Sequence, residues 1–406
     1  MRTVSFARMI FQMTKRALTA SEPRLLWKFA WNCGWKGIRS VQRFKRRIKR
    51  GVYFPPFLNI SITSACNLRC TGCWVDVDRP AQQLDLDAVN KLIVEAQRHG
   101  NSFFGILGGE PFMHPRFLEI LAAHPGCYFQ VFTNGQFLTD ETAAQLRQLG
   151  NVTPLISIEG NELISDQRRG REGVFGRSLR GLETAVRHKL ITGVATSVCQ
   201  NNIGDLLTEA WLDELIRRGV LYVWFYTYRP VGAQPAPELA LRPEQVLQLR
   251  RFCVEMRRRK PIGIIDAYWD DTGHALCPAA TGVSHHISPS GFIEPCPIIQ
   301  FAGAHISDNG GDIFKTIAGA EYLREFRRLA ASTTRGCIIL ERPDLLRDYV
   351  QRLQLRDTTA RQTALAELAT MQPRGSQHTP GQEIPEEFWP YRLAKKYWFF
   401  GFGAYS

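Results

Sequence analysis

The chain has no run of 18 or more apolar residues, so nothing in it is built to cross a membrane as a helix. A secretory start is missing too, because Arg8, Lys15 and Arg16 interrupt the apolar residues between Met1 and Ala20. Repeats at solenoid or propeller periods are absent. The most uneven shortage is of acid. Residues 1–51 hold one carboxylate, Glu22, against 14 Lys/Arg, whereas the rest of the chain holds 37 basic and 37 acidic residues. The net charge of +13 therefore belongs to one end of a neutral body. A protein that coats nucleic acid would spread its cations over its surface, so that class is disfavoured. The expected compartment is the cytosol, where ten cysteines are not expected to pair as disulfides and are read for metal spacing instead.

From residue 58 onward the pattern is strand, helix, strand, helix. Leu58–Thr63 alternates apolar and polar residues with period two, and apolar runs follow at 103–107, 129–132, 155–158, 193–198 and 221–226. Between them lie helical stretches such as 87–99, where Val89, Leu92, Ile93 and Ala96 mark one face and Gly100 supplies the stop. Six strands alternating with helices predict βαβ units and a parallel α/β sheet, open or curled into a barrel, with its chemistry at the strands' C-terminal ends. The pattern changes after Pro230. The chain thus divides into a basic amphipathic helical arm (1–51), an α/β core (52–235), a smaller Cys/Gly/Pro-bearing region (236–371), a Pro/Gly/Gln-rich linker (372–387) and an aromatic tail (388–406).

Directly after the first strand stand Cys66, Cys70 and Cys73, spaced C-x3-C-x2-C. Three thiolates in one loop reach three corners of an iron–sulfur cubane and leave its fourth iron without a local protein ligand, which makes that iron a reaction site. The competing reading, a zinc knot, wants a fourth local ligand and paired C-x2-C arms, and neither is present.

This loop resembles the signature of the radical S-adenosylmethionine superfamily. The second strand ends in Gly108-Gly109-Glu110-Pro111, similar to the GGEP motif of that family. The resemblance implies that the glycines let the backbone approach the methionyl amino group and that Glu110 accepts a hydrogen bond from it. Thr133-Asn134-Gly135 and Ser157-Ile158-Glu159-Gly160 resemble further strand ends of the family, and Asp166, Arg169-Gly170, Gly173 and Phe175 resemble its D-x2-R-G-x2-G-x-F stretch. Ser197 and Asn201 on the fifth strand, and Tyr226 and Arg229 on the sixth, fall where members contact the cofactor. One departure is Gly72, where most members carry an aromatic residue before the last cysteine; Trp74 stands just after. Further on, Cys277, Gly291 and Cys296 form a C-x13-G-x4-C pattern similar to the opening of SPASM and Twitch domains, with Cys337 downstream. That implies an auxiliary [4Fe-4S] cluster on Cys277, Cys296 and Cys337, its last position open or filled by a side chain such as His285. The adjacent His285-His286 pair reads otherwise as a surface turn. Cys33, Cys127, Cys199 and Cys253 have no ligand spacing and read as core residues.

The resemblance implies a partial (β/α)6 barrel that cleaves S-adenosylmethionine reductively to a 5′-deoxyadenosyl radical, with electrons from a flavodoxin- or ferredoxin-type donor or a reductase. The substrate turns on the ends of the chain. Leu26, Trp27, Trp31 and Trp35, then Ile38, Val41, Phe44 and Ile48 beside Lys45–Arg50, make basic amphipathic helices suited to an anionic membrane surface. The tail adds Trp389, Trp398, Phe399 and Phe400. The expectation is a peripheral enzyme on the inner face of the membrane acting on a lipid or other hydrophobic substrate, with an appended arm whose removal leaves cluster assembly intact. The alternatives are a peptide or protein maturase of the SPASM type and a non-catalytic iron–sulfur electron carrier.

Overall fold

The structure, a computed structural model, describes residues 6–275 and 277–398; Phe399 and Phe400 of the expected tail lie outside them. The six expected strands are present: β1 (Phe57–Thr63), β2 (Phe103–Gly108), β3 (Tyr128–Thr133), β4 (Val152–Ser157), β5 (Gly193–Val198) and β6 (Tyr222–Thr227). Three more join the same sheet: β7 (Gly263–Asp266), β8 (Ser284–Ile287) and β9 (Ile293–Glu294). The order is β7-β6-β5-β4-β3-β2-β1-β8-β9, parallel from β7 through β8, with β9 antiparallel. Residues of β1, β6 and β8 and the loop after β7 line one cavity, so the sheet is curled, yet its edges do not pair and it stays open. The added strands are two to four residues long, and β8 carries Ser284-His285-His286, too short and too polar for a period to register.

The barrel helices form where periodicity places them. In α4 (Leu86–Arg98) the Asp85 side chain caps Ala88 N–H, and Val89, Leu92, Ile93 and Ala96 are buried. Five others matter below: α5 (Phe117–Ala123), α6 (Asp140–Leu149), α7 (Glu162–Arg169), α8 (Val174–Arg187) and α9 (Glu209–Arg217).

The basic segment is helical, as expected, but it is not appended. Its helices α1 (Phe6–Ala20), α2 (Pro23–Lys28) and α3 (Lys36–Ile48), the last two joined by a π-helical stretch Phe29–Trp35, run across the N-terminal mouth of the barrel. Cys33, Val41 and Phe44 pack there with Phe103, Tyr128 and Val283 in one buried cluster. The cations meet backbone carbonyls where barrel helices end. Arg16 donates to Ile216 O, Val220 O (2.7 Å) and Pro261 O around the end of α9, and Arg24 and Lys28 to residues 147–149 at the end of α6. Lys36 reaches Gly126 O (2.8 Å) after α5, and Arg47 reaches His99 O (2.9 Å) after α4. Helix C-termini expose unsatisfied carbonyls and the negative end of the macrodipole, so cations belong there. Among the described residues no helix is long and apolar enough to cross a membrane.

The stretch 372–387 is not a free linker either. Ser376, Gln377 and Glu386 are buried, held by contacts to distant parts of the chain that composition does not reveal. Past it, α11 (Trp389–Tyr397) is fastened by a buried charge cluster. Asp266, at the end of β7, meets Arg250 and Arg257 of α10 (Pro243–Arg259) at 2.7 Å each and Lys395 at 3.1 Å, while Glu386 takes the other side of Arg257. Burial alone would push the Asp266 carboxyl up, but Arg257, Lys395 and Arg250 outweigh it and hold it well below the usual carboxylate range.

Two outcomes follow from this packing. Asp266→Asn leaves three buried cations short of a partner and should cost about 3–5 kcal/mol, read from denaturant unfolding. Because the folded pKa of Asp266 is depressed, its contribution is complete above the ordinary carboxylate range and lost as pH falls through and below it. The stability gap between wild type and variant should therefore be flat near neutrality and shrink in acid. Deletion of residues 1–51 should not leave a working core; it uncovers the barrel mouth, and the truncated chain should aggregate or lose cooperative unfolding in calorimetry.

Candidate active site

The Cys66–Cys73 loop leaves the C-terminal end of β1 and is held by backbone contacts that tolerate no side chain. Gly109 N–H donates to Thr63 O at 2.8 Å and Glu110 N–H to Ala65 O at 2.7 Å. A Cβ on Gly108, at φ +139°, would lie 2.1 Å from Thr63 O, and one on Gly109 2.3 Å from Ala65 O. The two glycines thus let the end of β2 close onto the start of the cysteine loop. Pro111 is buried in the turn that follows.

Glu110 is fully buried and spans two strand ends. Its carboxylate accepts from Thr133 Oγ1 and Asn134 N–H at 2.8 Å each and from Phe112 N–H at 3.3 Å. Burial pushes its pKa up to about 7 against those donors. Asn134 passes the connection on, its side-chain amide donating to Asn67 Oδ1 at 2.8 Å inside the cysteine loop.

The segment 166–175 grips the loop from the other side. Asp166 accepts from the Gly173 and Phe175 amides, closing the turn after α7. Thr71 N–H donates to Arg168 O at 2.9 Å, and a Cβ on Gly170 would meet Arg69 O at 2.3 Å. Arg169 pairs with Glu159 at 2.6 Å and points a second nitrogen at Cys70 Sγ, 3.8 Å away. Glu159 also accepts from Ser197 N–H at 2.9 Å, joining β4 to β5. At Gly72, φ +66°, a Cβ would fall 1.9 Å from the Tyr228 hydroxyl. The Tyr228 ring, just past β6, thus occupies the space that a side chain at position 72 would take, and the Arg168 guanidinium lies 4.4 Å from its centroid.

Cys277 precedes a short helical turn at 278–281, Cys296 follows the β8–β9 hairpin, and Cys337 precedes another turn at 338–341. Gly291, φ +84°, makes the hairpin bend. All three thiols line the cavity that Cys70 and Cys73 line, a space of about 460 Å³. Arg229 reaches this second triad with Nε 3.4 Å from Cys337 Sγ, its guanidinium 4.5 Å from the Tyr268 ring centroid. Between the triads the walls are mostly apolar and aromatic, with Phe132, Tyr226 and the Trp224 ring stacked on Tyr226 at 5.3 Å. Gln377 lines the cavity too and donates to Thr227 Oγ1 at 2.8 Å.

Among the described residues no three His, Cys, Asp or Glu side chains form a site for a single metal ion. The thiols of each triad nevertheless act on one another. Burial and then Cys70 push Cys73 up to about 12, and burial followed by Cys337 pushes Cys277 up to about 11. Two sets of three thiols, each with a part-buried arginine beside it, suit a polynuclear anionic cluster with one open corner.

Of the expected cofactor residues, Ser157, Glu159, Ser197, Tyr226 and Arg229 line the cavity, while Gly108, Gly109, Glu110, Pro111 and Asn134 hold the cysteine loop. Asn201 is not brought in; it is exposed and accepts from Cys199 Sγ, and its neighbour Asn202 is the buried one. His285 and His286 are not a surface turn, for both are buried on β8. His285 pairs in register with Leu58, on the face opposite Ser284 and His286, and does not line the cavity, so it is not placed to complete the auxiliary set. His286 sits between Ser61 Oγ (2.7 Å) and Glu294 (2.6 Å) with its ring edge-on to Trp74, tying the hairpin to β1. Trp224, Tyr228, Tyr268 and Gln377 were missed; alternation with Tyr226 on one strand could have found Trp224, and the other three carried no signal. Cys33, Cys127, Cys199 and Cys253 are buried, as expected of core residues.

The sequence matches the family model described as Radical SAM superfamily over residues 60–223. It is 33% identical over 314 residues to the mycofactocin maturase MftC of Mycolicibacterium smegmatis, covering 71% of this chain and 77% of that protein. To the sporulation killing factor maturation protein SkfB of Bacillus subtilis it is 24% identical over 270 residues, 64% of this chain and 65% of that one. The chain spans just under two thirds of the length of several curated relatives that it matches, SkfB among them. The crystal structure of Streptococcus suis SuiB bound to precursor peptide SuiA shares the fold, with TM-score 0.55, 15% identity and 67% of each chain covered.

The glycine contacts carry a direct test. Gly109→Ala should displace the cysteine loop without touching a thiol, so iron bound per chain should fall markedly while the unfolding midpoint moves little.

Proposed function

The chain belongs to the radical S-adenosylmethionine superfamily, and on that premise we propose that it is a peptide-modifying radical enzyme with two iron–sulfur clusters facing one substrate cavity. It is a radical enzyme that uses a [4Fe-4S] cluster and S-adenosylmethionine. Cys66, Cys70 and Cys73 would hold the catalytic cluster, and Cys277, Cys296 and Cys337 an auxiliary one. Together with S-adenosylmethionine, the catalytic cluster supplies reductive C–S cleavage and hydrogen abstraction.

The protein's part is position and exclusion. Glu110 and the 166–175 segment fix the loop's geometry, Arg169 balances negative charge beside Cys70, and the aromatic walls keep water from a reactive centre. Arg229 places one positive charge beside the auxiliary triad.

The single observation that carries the reading is that Cys70 and Cys73 of the first triad and all three cysteines of the second line the same cavity. A peptide substrate is preferred to a lipid because relatives named as maturases, SkfB and MftC, match 64% and 71% of this chain, and because SuiB is seen with a precursor peptide. A flavodoxin- or ferredoxin-type donor would supply the electrons.

The anaerobically reconstituted chain, given S-adenosylmethionine and dithionite, is expected to release 5′-deoxyadenosine. Cys66→Ala should abolish that release and lose about half the iron, whereas Cys296→Ala should lose about half the iron and keep it. Iron-loaded wild type that releases none would overturn the reading. A peptide library and a lipid extract, each screened by mass spectrometry for S-adenosylmethionine-dependent products, separate the substrate classes; products from the lipid extract alone would reverse the choice of peptide.

A further inference from the structure

The segment that seals the barrel mouth has an outer face that the fold does not use. Leu25, Cys33, Val41 and Phe44 face inward and are buried, while Trp27, Trp31 and Trp35 are 67%, 45% and 51% exposed. The same outer side continues through Arg39, Arg43, Arg46 and Arg50, all exposed. In an α-helix a spacing of four drifts by about 40° per step. The wider π-helical turn at Phe29–Trp35 offsets that drift where the three indoles stand, and the Trp27 and Trp31 rings stack at 6.1 Å. Along the helix the stripe runs for roughly 35 Å, aromatic at one end and cationic at the other.

Charge sharpens the assignment. Glu22, the one carboxylate of residues 1–51, is taken by Arg24 and Arg147. Arg39, Arg43, Arg46 and Arg50 have no carboxylate partner among the described residues, unlike Arg16, Arg24, Lys28, Lys36 and Arg47, whose donors are spent on barrel carbonyls. Helix α11 lies beside α3 and exposes Trp389, Leu393 and Tyr397, and just past its end Trp398 Nε1 donates to Cys33 O of the π-helical stretch at 2.8 Å. A nucleic-acid duplex offers phosphate but no apolar phase for three indoles. A bilayer interface offers both.

We propose that the outer face of residues 23–50 docks the protein on an anionic lipid bilayer, with the indoles at headgroup level and the four arginines on lipid phosphates. The docked end is the barrel's N-terminal mouth, and the Cys66–Cys73 loop leaves the opposite end of β1. The bilayer is then a place of work and not the source of the substrate, so this inference is independent of the peptide reading.

The test uses the purified full chain with no turnover. It should float at low salt with vesicles of equimolar phosphatidylcholine and phosphatidylglycerol, not with phosphatidylcholine alone, and its tryptophan emission should shift to the blue. Replacing Arg39, Arg43, Arg46 and Arg50 with Gln should weaken partition on the order of a hundredfold. Trp27→Ser, Trp31→Ser and Trp35→Ser together should remove the blue shift. Both variants should keep the wild-type unfolding midpoint, since the changed side chains face outward. Absence of flotation, partition that ignores both variants, or retention on duplex RNA without flotation would each overturn the proposal.

Discussion

A parallel barrel sends every helix in the same direction, so the unsatisfied carbonyls at the helix ends gather at one mouth, and the rest of the structure depends on answering them. Here the answer comes from the chain's first fifty residues, whose cations reach carbonyls after α4, α5, α6 and α9 in turn. Charge that looked like an address label is in large part a fold element. Only the cations left over, beyond that ring, are available to anything outside the molecule.

The same strand polarity fixes the chemistry at the other mouth. The cysteine loop has little regular structure of its own and is defined by what closes on it: two glycines from β2, the Asn134 side chain from β3, and the Arg168–Gly170 backbone after α7. Each contact is a close backbone approach or a buried hydrogen bond, which gives the thiols a rigid seat on three sides. The auxiliary triad is tied to the same frame through β8, which lengthens the sheet beside β1 and carries His286 against Ser61.

The last thirty described residues join the two halves. Gln377 enters the cavity, Ser376 Oγ accepts from Cys337 N–H, and the Asp266 cluster locks α11 to α10. Buried ionic clusters are costly to desolvate, and this one holds because each charge meets at least one opposite charge within the cluster.

The sequence by itself determined the six core strands and the superfamily, because those rest on local periodicity and on motifs a few residues long, and it singled out the cysteines proposed as cluster ligands. It also marked the basic amphipathic character of the first helices. Its division into arm, linker and tail rests on composition, which does not register how those segments pack against the body. Composition registers that 372–387 is polar, not that Ser376 and Gln377 find partners on Cys337 and Thr227, and a count of cations does not say which are spent on carbonyls. Strands of four residues, the Tyr228 ring that fills the space at Gly72, and the exclusion of Asn201 and His285 from the cavity were decided by tertiary structure alone. They depend on which face of a strand or which turn meets a segment far along the chain, and no local pattern encodes that.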